Sequence, residues 1–173
     1  EIEEAVALYG DILAADPENA DASHFLCVAK HQIGDSDAAI ELLQKSLELA
    51  PGNVNAINNL GNIYREVGEL KRAEECYRKV LELAPRHTDT LINIAVTQRG
   101  MGKPEDALAV IKKAIEIDPS LSEAHLNKGI LYFMLEDFAS AEAAFQEAIR
   151  LNQNAGVCDA VAYANLGDLY FVL

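Results

Sequence analysis

One helix near the start of the chain carries side chains that could do chemistry. His24, Cys27 and His31 fall at i, i+3 and i+7, a spacing that places them on one helical face. Two imidazoles and a thiol could bind a metal ion or form a nucleophile with its base. Cys27, however, stands at a position where small residues recur and two helices are predicted to touch. We therefore expect neither a metal site nor a catalytic thiol.

The other residues that could bind phosphate or act as acids and bases do not form a recognisable site either. Residues 100–103 read Gly-Met-Gly-Lys, like the end of a phosphate-binding loop, but Pro104 stands where Ser or Thr is required. Carboxylate runs such as Glu74-Glu75 suit solvated outer helix faces, and His87 and His125 are isolated. The sequence predicts no catalytic residue, no metal and no cofactor. This stretch is not expected to be an enzyme, although a longer parent chain could carry a catalytic domain.

Composition narrows the classes of partner. The 173 residues include 14 Lys and Arg against 28 Asp and Glu, for a net charge of −14, which repels nucleic acid and anionic lipid. The longest apolar run, residues 130–135, is far shorter than the ~20 residues of a membrane span. Three scattered cysteines suggest no disulfide framework and favour a reducing, cytoplasmic location. The sequence starts at Glu1 without Met, so we expect an excerpt whose targeting signals lie elsewhere.

A period of 34 residues organises the chain. Prolines recur at Pro17, Pro51, Pro85 and Pro119, and alanines at Ala5, Ala39, Ala73, Ala107 and Ala141. Such a period predicts one supersecondary unit repeated as a solenoid. Because each unit contacts mainly its neighbours, the product is an extended surface suited to binding.

Each period encodes two helices and a stop. Ile57, Leu60, Gly61 and Tyr64 share one helical face, and a second apolar stripe runs from Leu70 to the Ala-Pro pair at residues 84–85. The small position of the first helix reads Cys27, Gly61, Ala95, Gly129 and Gly167, and the bulky position of the second reads Tyr9, Leu43, Tyr77, Ile111 and Phe145. Small residues let paired helices approach closely.

This pattern resembles the tetratricopeptide repeat, or TPR. The resemblance implies an all-α fold, an α-solenoid of antiparallel helix pairs coiled as a right-handed superhelix, with about ten helices. The family's usual Trp is absent, and Lys128 departs from the apolar residues at the equivalent positions, which are Leu26, Leu60, Ile94 and Leu166. A Lys stem can lie along apolar surface, so the assignment holds.

The phase of the repeat fixes the expected boundaries of a single array over residues 1–173. Residues 1–19 give the second helix of a truncated repeat, full repeats occupy 20–53, 54–87, 88–121 and 122–155, an insertion occupies 156–159, and a lone first helix occupies 160–173. The insertion is expected to lengthen a loop, with a functional hinge as the alternative. Neither end carries a polar capping helix, so self-association through uncovered ends is expected.

In TPR geometry the first helices line a concave groove, and one groove position carries Asn in four repeats. Asn59, Asn93, Asn127 and Asn165 form this row. Amides both donate and accept, so such a row can bind the backbone of an extended peptide. The row resembles the asparagine ladder of O-linked N-acetylglucosamine transferases. In the alternative interpretation, these amides cap or bridge neighbouring helices.

Six further side chains are expected around this row: Asn55, Asn58, Asn62, Arg65, Arg99 and Phe133. Phe133 could anchor an apolar end of the ligand or pack on the following helix. The Lys/Arg clamp of chaperone-binding TPR domains is missing, because Asn55, Asp89 and Glu123 occupy one clamp position.

Three functions stay open from the sequence. The leading one is a scaffold that binds a protein or peptide in its groove. The second is the substrate-recognition arm of a larger enzyme, such as an O-linked glycosyltransferase. The third is a self-assembly module with an empty groove.

Overall fold

The computed structural model describes residues 2–173; the predicted start of the first helix at Glu1 lies outside them. Ten α-helices cover this range and confirm the all-α prediction: α1 Ile2–Ala15, α2 Ala20–Gln32, α3 Ser36–Leu49, α4 Val54–Glu66, α5 Leu70–Leu83, α6 Thr88–Gly100, α7 Pro104–Ile117, α8 Ser122–Met134, α9 Phe138–Asn154 and α10 Ala160–Val172.

Side chains cap the starts of most helices. Asn19 accepts from the Ala22 amide at 2.9 Å, and Asn53 accepts from the Ala56 amide at 3.1 Å. The carboxylates of Asp35, Asp137 and Asp159 do the same for α3, α9 and α10. These bonds satisfy amides that have no partner within the helix.

The turn inside each helix pair uses a left-handed residue. Gly34, Gly68 and Gly102 have φ between 72° and 84°, and Glu136 takes the equivalent place with φ of 60°. At this turn the amide that follows the left-handed residue reaches back five residues, as Asp137 does to the Tyr132 carbonyl at 3.0 Å. A left-handed residue is what that motif requires, and Gly adopts it without steric cost.

The chain divides into two compact units, residues 1–85 and 86–173. In the first unit, each helix from α1 to α5 packs on the next in chain order. Its core includes the fully buried side chains of Leu43, Ile57 and Tyr77.

In the second unit, α6 to α10 also pack in sequence, and two further contacts join alternate helices, α6 with α8 and α8 with α10. The first helices of successive pairs therefore touch directly. Phe145 and Leu169 are buried together in its core beside Ala141.

The small first-helix positions lie against large rings. A Cβ placed on Gly61 would stand 2.6 Å from Tyr77 Cε1, and one on Gly129 would stand 2.5 Å from Phe145 Cδ1. Both distances are far below van der Waals contact, so only Gly fits there. At Gly167 the same construction meets no atom within 4 Å.

The predicted insertion, residues 156–159, lies in the segment between α9 and α10. α9 itself has 17 residues where α3, α5 and α7 each have 14, so part of the added length relative to the repeat lies in this helix. Gln153 stands where earlier repeats carry Pro. Because Gln keeps its amide and has no ring to clash with the preceding turn, the helix continues to Asn154.

Within residues 2–173, no helix combines the length and apolar character needed to cross a bilayer.

Candidate functional site

Two hydrogen-bonded pairs join the first helices of unit 1. His24 on α2 lies 3.2 Å from the Asn59 amide nitrogen on α4, and His31 Nε2 lies 2.6 Å from Glu66 Oε2. The other His31 nitrogen meets Ser36 Oγ at 3.1 Å. Histidines thus connect successive first helices along the face that carries the predicted asparagine row.

A cavity of about 180 Å³ opens between these bridges. Its lining comes from α2 and α4 and comprises Cys27, Val28, His31, Gln32, Asn59, Asn62, Ile63 and Glu66. Two of the predicted contacts, Asn59 and Asn62, therefore line one space. Apolar side chains together with a few amides and a carboxylate are the usual lining of a small binding pocket.

The two amides leave complementary groups for a ligand. Asn62 Oδ1 accepts from the Tyr77 hydroxyl at 2.7 Å, which leaves the Asn62 amide nitrogen without an acceptor among residues 2–173. Asn59 uses its nitrogen on His24, which leaves its oxygen as the acceptor. One donor and one acceptor can pair with the C=O and N–H of a peptide group.

Tyr77 fixes Asn62 from the core. Its side chain is fully buried, and burial raises the pKa of its hydroxyl to about 12, with Arg65 nearby acting in the opposite direction. The hydroxyl therefore stays protonated at neutral pH and remains a donor to Asn62. Arg65 is half-buried, with its Nε atom enclosed.

The first candidate for chemistry, His24-Cys27-His31, does not form a common site. Each histidine has its own partner on another residue, and Cys27 is buried with its thiol pKa raised to about 12 by desolvation. A thiol in that state is a poor nucleophile and a poor metal ligand.

The remaining predicted contacts of α4 lie at different depths. Asn55 is exposed in the first turn of the helix, whereas Asn58 is half-buried. Neither lines the cavity.

In unit 2 two asparagines of this row make hydrogen bonds within the protein. Asn127 is only 7% exposed; its nitrogen donates to the Glu123 carbonyl at 3.0 Å, and its oxygen accepts from Arg99 Nη1 at 3.3 Å. The bond from Arg99 ties α6 to α8, whereas the bond to Glu123 lies within α8. Asn127 therefore orients Arg99, a second predicted contact.

Asn165 makes one of the two kinds of hydrogen bond that Asn127 makes, the bond to the carbonyl four residues earlier. Its nitrogen donates to the Val161 carbonyl one turn earlier at 2.8 Å, so this amide group is bonded to its own helix. Asn93 is half-buried on α6.

Phe133 packs inside the unit. Its ring centroid lies 5.8 Å from that of Phe138, and it adjoins the buried cluster of Phe145 and Leu169. These contacts are the ones that the helix-packing interpretation predicts, and the role of Phe133 as a ligand anchor stays a prediction.

Sequence reasoning missed the contribution of α2 to the pocket. His31 and Glu66 are 35 residues apart, one repeat plus one residue, and adjacent repeats place such positions side by side. That spacing is the signal that could have found the pair.

Three family models, each described as tetratricopeptide repeat, match residues 1–48, 53–120 and 122–155. Between them they leave only short stretches of the chain unmatched. No curated protein gives a significant match to the chain.

Solved structures share the fold. A structure titled crystal structure of MamA superposes with a TM-score of 0.80 at 23% identity, covering 90% of this chain and 91% of that one. MamA 41-end from Desulfovibrio magneticus RS-1 gives 0.80 at 20% identity, covering 88% and 86%. A thermophilic TPR protein of Thermus thermophilus gives 0.72 at 24% identity, covering 88% and 82%.

The family models and the superposed structures agree with the helix pairs and the small-against-large contacts described above. Arrays of this kind present extended binding surfaces for other proteins and are typically non-catalytic. The chain belongs to the tetratricopeptide repeat family, and its array is a protein-interaction scaffold.

Proposed function

We propose that this scaffold binds an extended peptide segment of a partner protein along its first-helix face, with the α2–α4 cavity as one subsite. The cavity lined by Asn59 and Asn62 is the observation that carries the proposal. It supplies one free acceptor and one free donor, which match the polar groups of a peptide backbone.

Charge indicates the kind of peptide. Glu66 lines the cavity with more than half of its side chain exposed, and the whole chain carries a net charge of −14. A basic peptide is therefore favoured over an acidic one, and the association rate of a basic peptide should fall as salt rises.

The remaining predicted contacts belong to the same proposal. In unit 2, Arg99 held by Asn127, together with Asn93 and Asn165, offers further polar groups on the face formed by α6, α8 and α10. Asn55, Asn58 and Arg65 extend the polar surface of α4.

The test selects peptides from a random library displayed on phage and measures their binding by fluorescence anisotropy. Asn59→Ala removes the free acceptor and should weaken binding about tenfold, because one lost hydrogen bond is worth about 1 to 1.5 kcal/mol. Asn154→Ala, an exposed amide at the end of α9, is the matched control and should bind like the parent.

Circular dichroism must show equal helicity for the three proteins. Failure to select any peptide, or equal affinity for the Asn59 variant, would reject the groove as the binding site.

Self-assembly is a second candidate, favoured by the surface of α10. Phe171 is 93% exposed, and Val161 and Val172 are each more than half exposed, so apolar side chains of α10 are available to an interaction surface. Light scattering over a concentration series would show growth in mass that Phe171→Glu abolishes. A constant monomer mass at the highest concentration would exclude this candidate.

A further inference from the structure

Glu66 brings a carboxylate into the α2–α4 cavity, and no lysine or arginine of residues 2–173 lines the same space. Its Oε2 atom lies 2.6 Å from His31 Nε2. Within that range of the chain, the other oxygen, Oε1, makes no hydrogen bond with another residue. One carboxylate oxygen is therefore left for a ligand.

His31 holds Glu66 in place without supplying a permanent positive charge. Its Nδ1 atom lies 3.1 Å from Ser36 Oγ, and the Ser36 hydroxyl can donate to that nitrogen. A neutral imidazole bonded in this way donates its single N–H to Glu66 Oε2 and leaves the carboxylate its negative charge. The pair joins α4 to α2, so the carboxylate is positioned beside the cavity.

The size and lining of the cavity suit one side chain. Its volume of about 180 Å³ lies below the roughly 300–1,000 Å³ of pockets for drug-sized ligands. Ile63, which is buried, and Val28, which is 38% exposed, supply apolar lining. Asn62 precedes Glu66 by four residues on α4, a rise of about 6 Å, which the four-carbon stem of a lysine can span.

We propose that the α2–α4 cavity takes a lysine side chain of the bound peptide, with the ammonium group on Glu66 Oε1 and the stem along Val28 and Ile63. This assignment rests on the proposed function, in which Asn59 and Asn62 bind the peptide backbone. A lysine stem is stabilised on apolar surface while its ammonium group stays in contact with water. Glu66, with more than half of its side chain exposed, offers that setting.

Arginine fits the same carboxylate less well. A guanidinium binds a carboxylate best through two parallel N–H···O bonds, one to each oxygen, and Glu66 Oε2 is already bonded to His31. An ammonium group is a compact point charge, for which one oxygen is enough. The cavity should therefore prefer lysine to arginine.

Three short peptides test the assignment. Each has an acetylated and amidated Ala-Ala-X-Ala-Ala sequence, in which X is lysine, arginine or norleucine, and norleucine keeps the stem without the ammonium group. Affinities are read from the backbone amide shifts of isotope-labelled protein during NMR titration at up to millimolar peptide. The lysine peptide should bind about fivefold more tightly than the norleucine peptide, as expected of a partly exposed ion pair, and more tightly than the arginine peptide.

Two glutamate variants locate the ammonium group. Glu66→Gln keeps an oxygen that can accept from His31, so it should fold like the parent, yet it should bind the lysine and norleucine peptides equally. Glu48→Gln removes the same charge from an exposed position on α3 outside the cavity lining, and it should keep the fivefold preference. Circular dichroism must show equal helicity for the three proteins. A lysine preference that is absent from the parent, or that survives in Glu66→Gln, overturns the assignment.

Asn59→Ala separates this assignment from the proposed function. It should weaken all three peptides alike, because it removes an acceptor for the backbone and leaves Glu66 in place. Weaker binding by Asn59→Ala without any lysine preference in the parent would overturn the lysine site alone. A lysine preference that is lost in Glu66→Gln, with no effect of Asn59→Ala, would support the lysine site and reject the backbone contact. The absence of shifts with every peptide would overturn both.

Discussion

Gly129 offers the sharpest test of the packing between paired helices. The substitution Gly129→Ala adds one methyl group, which would stand 2.5 Å from both Cδ1 and Cε1 of Phe145. The ring is 1% exposed and is packed against Ala141 and Leu169, so it has no free space to move into. The helices must separate or the ring must leave its rotamer.

Two effects of opposite sign decide how much Gly129→Ala changes the free energy of unfolding. Alanine is favoured over glycine in a helix interior by about 1 kcal/mol, whereas overpacking a core costs roughly 1 to 3 kcal/mol. With two ring atoms below 3 Å, we take the upper end of the overpacking cost. The net loss of unfolding free energy is then about 2 kcal/mol, or roughly 4–8 °C in Tm for a chain of this length.

Gly167→Ala is the matched control, because a Cβ there meets nothing within 4 Å. The same helix preference acts without a clash, so this variant should be as stable as the parent or up to about 1 kcal/mol more stable.

Urea and thermal unfolding, followed by circular dichroism at 222 nm, measure all three proteins. A Gly129→Ala protein as stable as the parent would refute the close-approach argument. Equal destabilisation by Gly129→Ala and Gly167→Ala would refute it too, because the clash would then not be the cause.

Two further predictions concern single residues. Glu136→Gly should raise the free energy of unfolding by about 0.5–1 kcal/mol. The left-handed conformation costs a non-glycine residue roughly 1–2 kcal/mol, and the greater flexibility of glycine in the unfolded chain offsets part of that gain. An unchanged or lower urea midpoint would contradict this prediction. Cys158 is exposed, whereas Cys27 is buried and its thiol pKa is raised to about 12. Iodoacetamide at pH 8 should therefore alkylate Cys158 in the native protein and Cys27 only in denaturant. Mass spectrometry of the digested protein reads both sites, and rapid native labelling of Cys27 would show that its burial is wrong.

Periodicity made most of the fold predictable. The 34-residue spacing of Pro and Ala specified helix pairs, because each element repeats a local pattern that depends only on residues nearby in sequence. The structure adds the helix caps at Asn19, Asn53 and Asp137, each of which accepts from the amide three positions later.

The candidate sites were less predictable, because side chains of different repeats build them. The sequence indicated Asn59 and Asn62 but not the α2 side of the cavity, where His24 and His31 meet α4. Lys128 was visible in the sequence as a departure from the repeat, but the cavity that it lines was not.

The sequence alone thus determined the repeat, the helices and the small residues at helix contacts, since these follow from local propensity and spacing. Only the tertiary structure decided that Asn127 holds Arg99 instead of facing outward, that Phe133 packs inside its unit, and that Lys128 lines a cavity. The physical reason is that a side chain's direction and partners depend on residues brought close by packing, which the spacing within one helix does not encode.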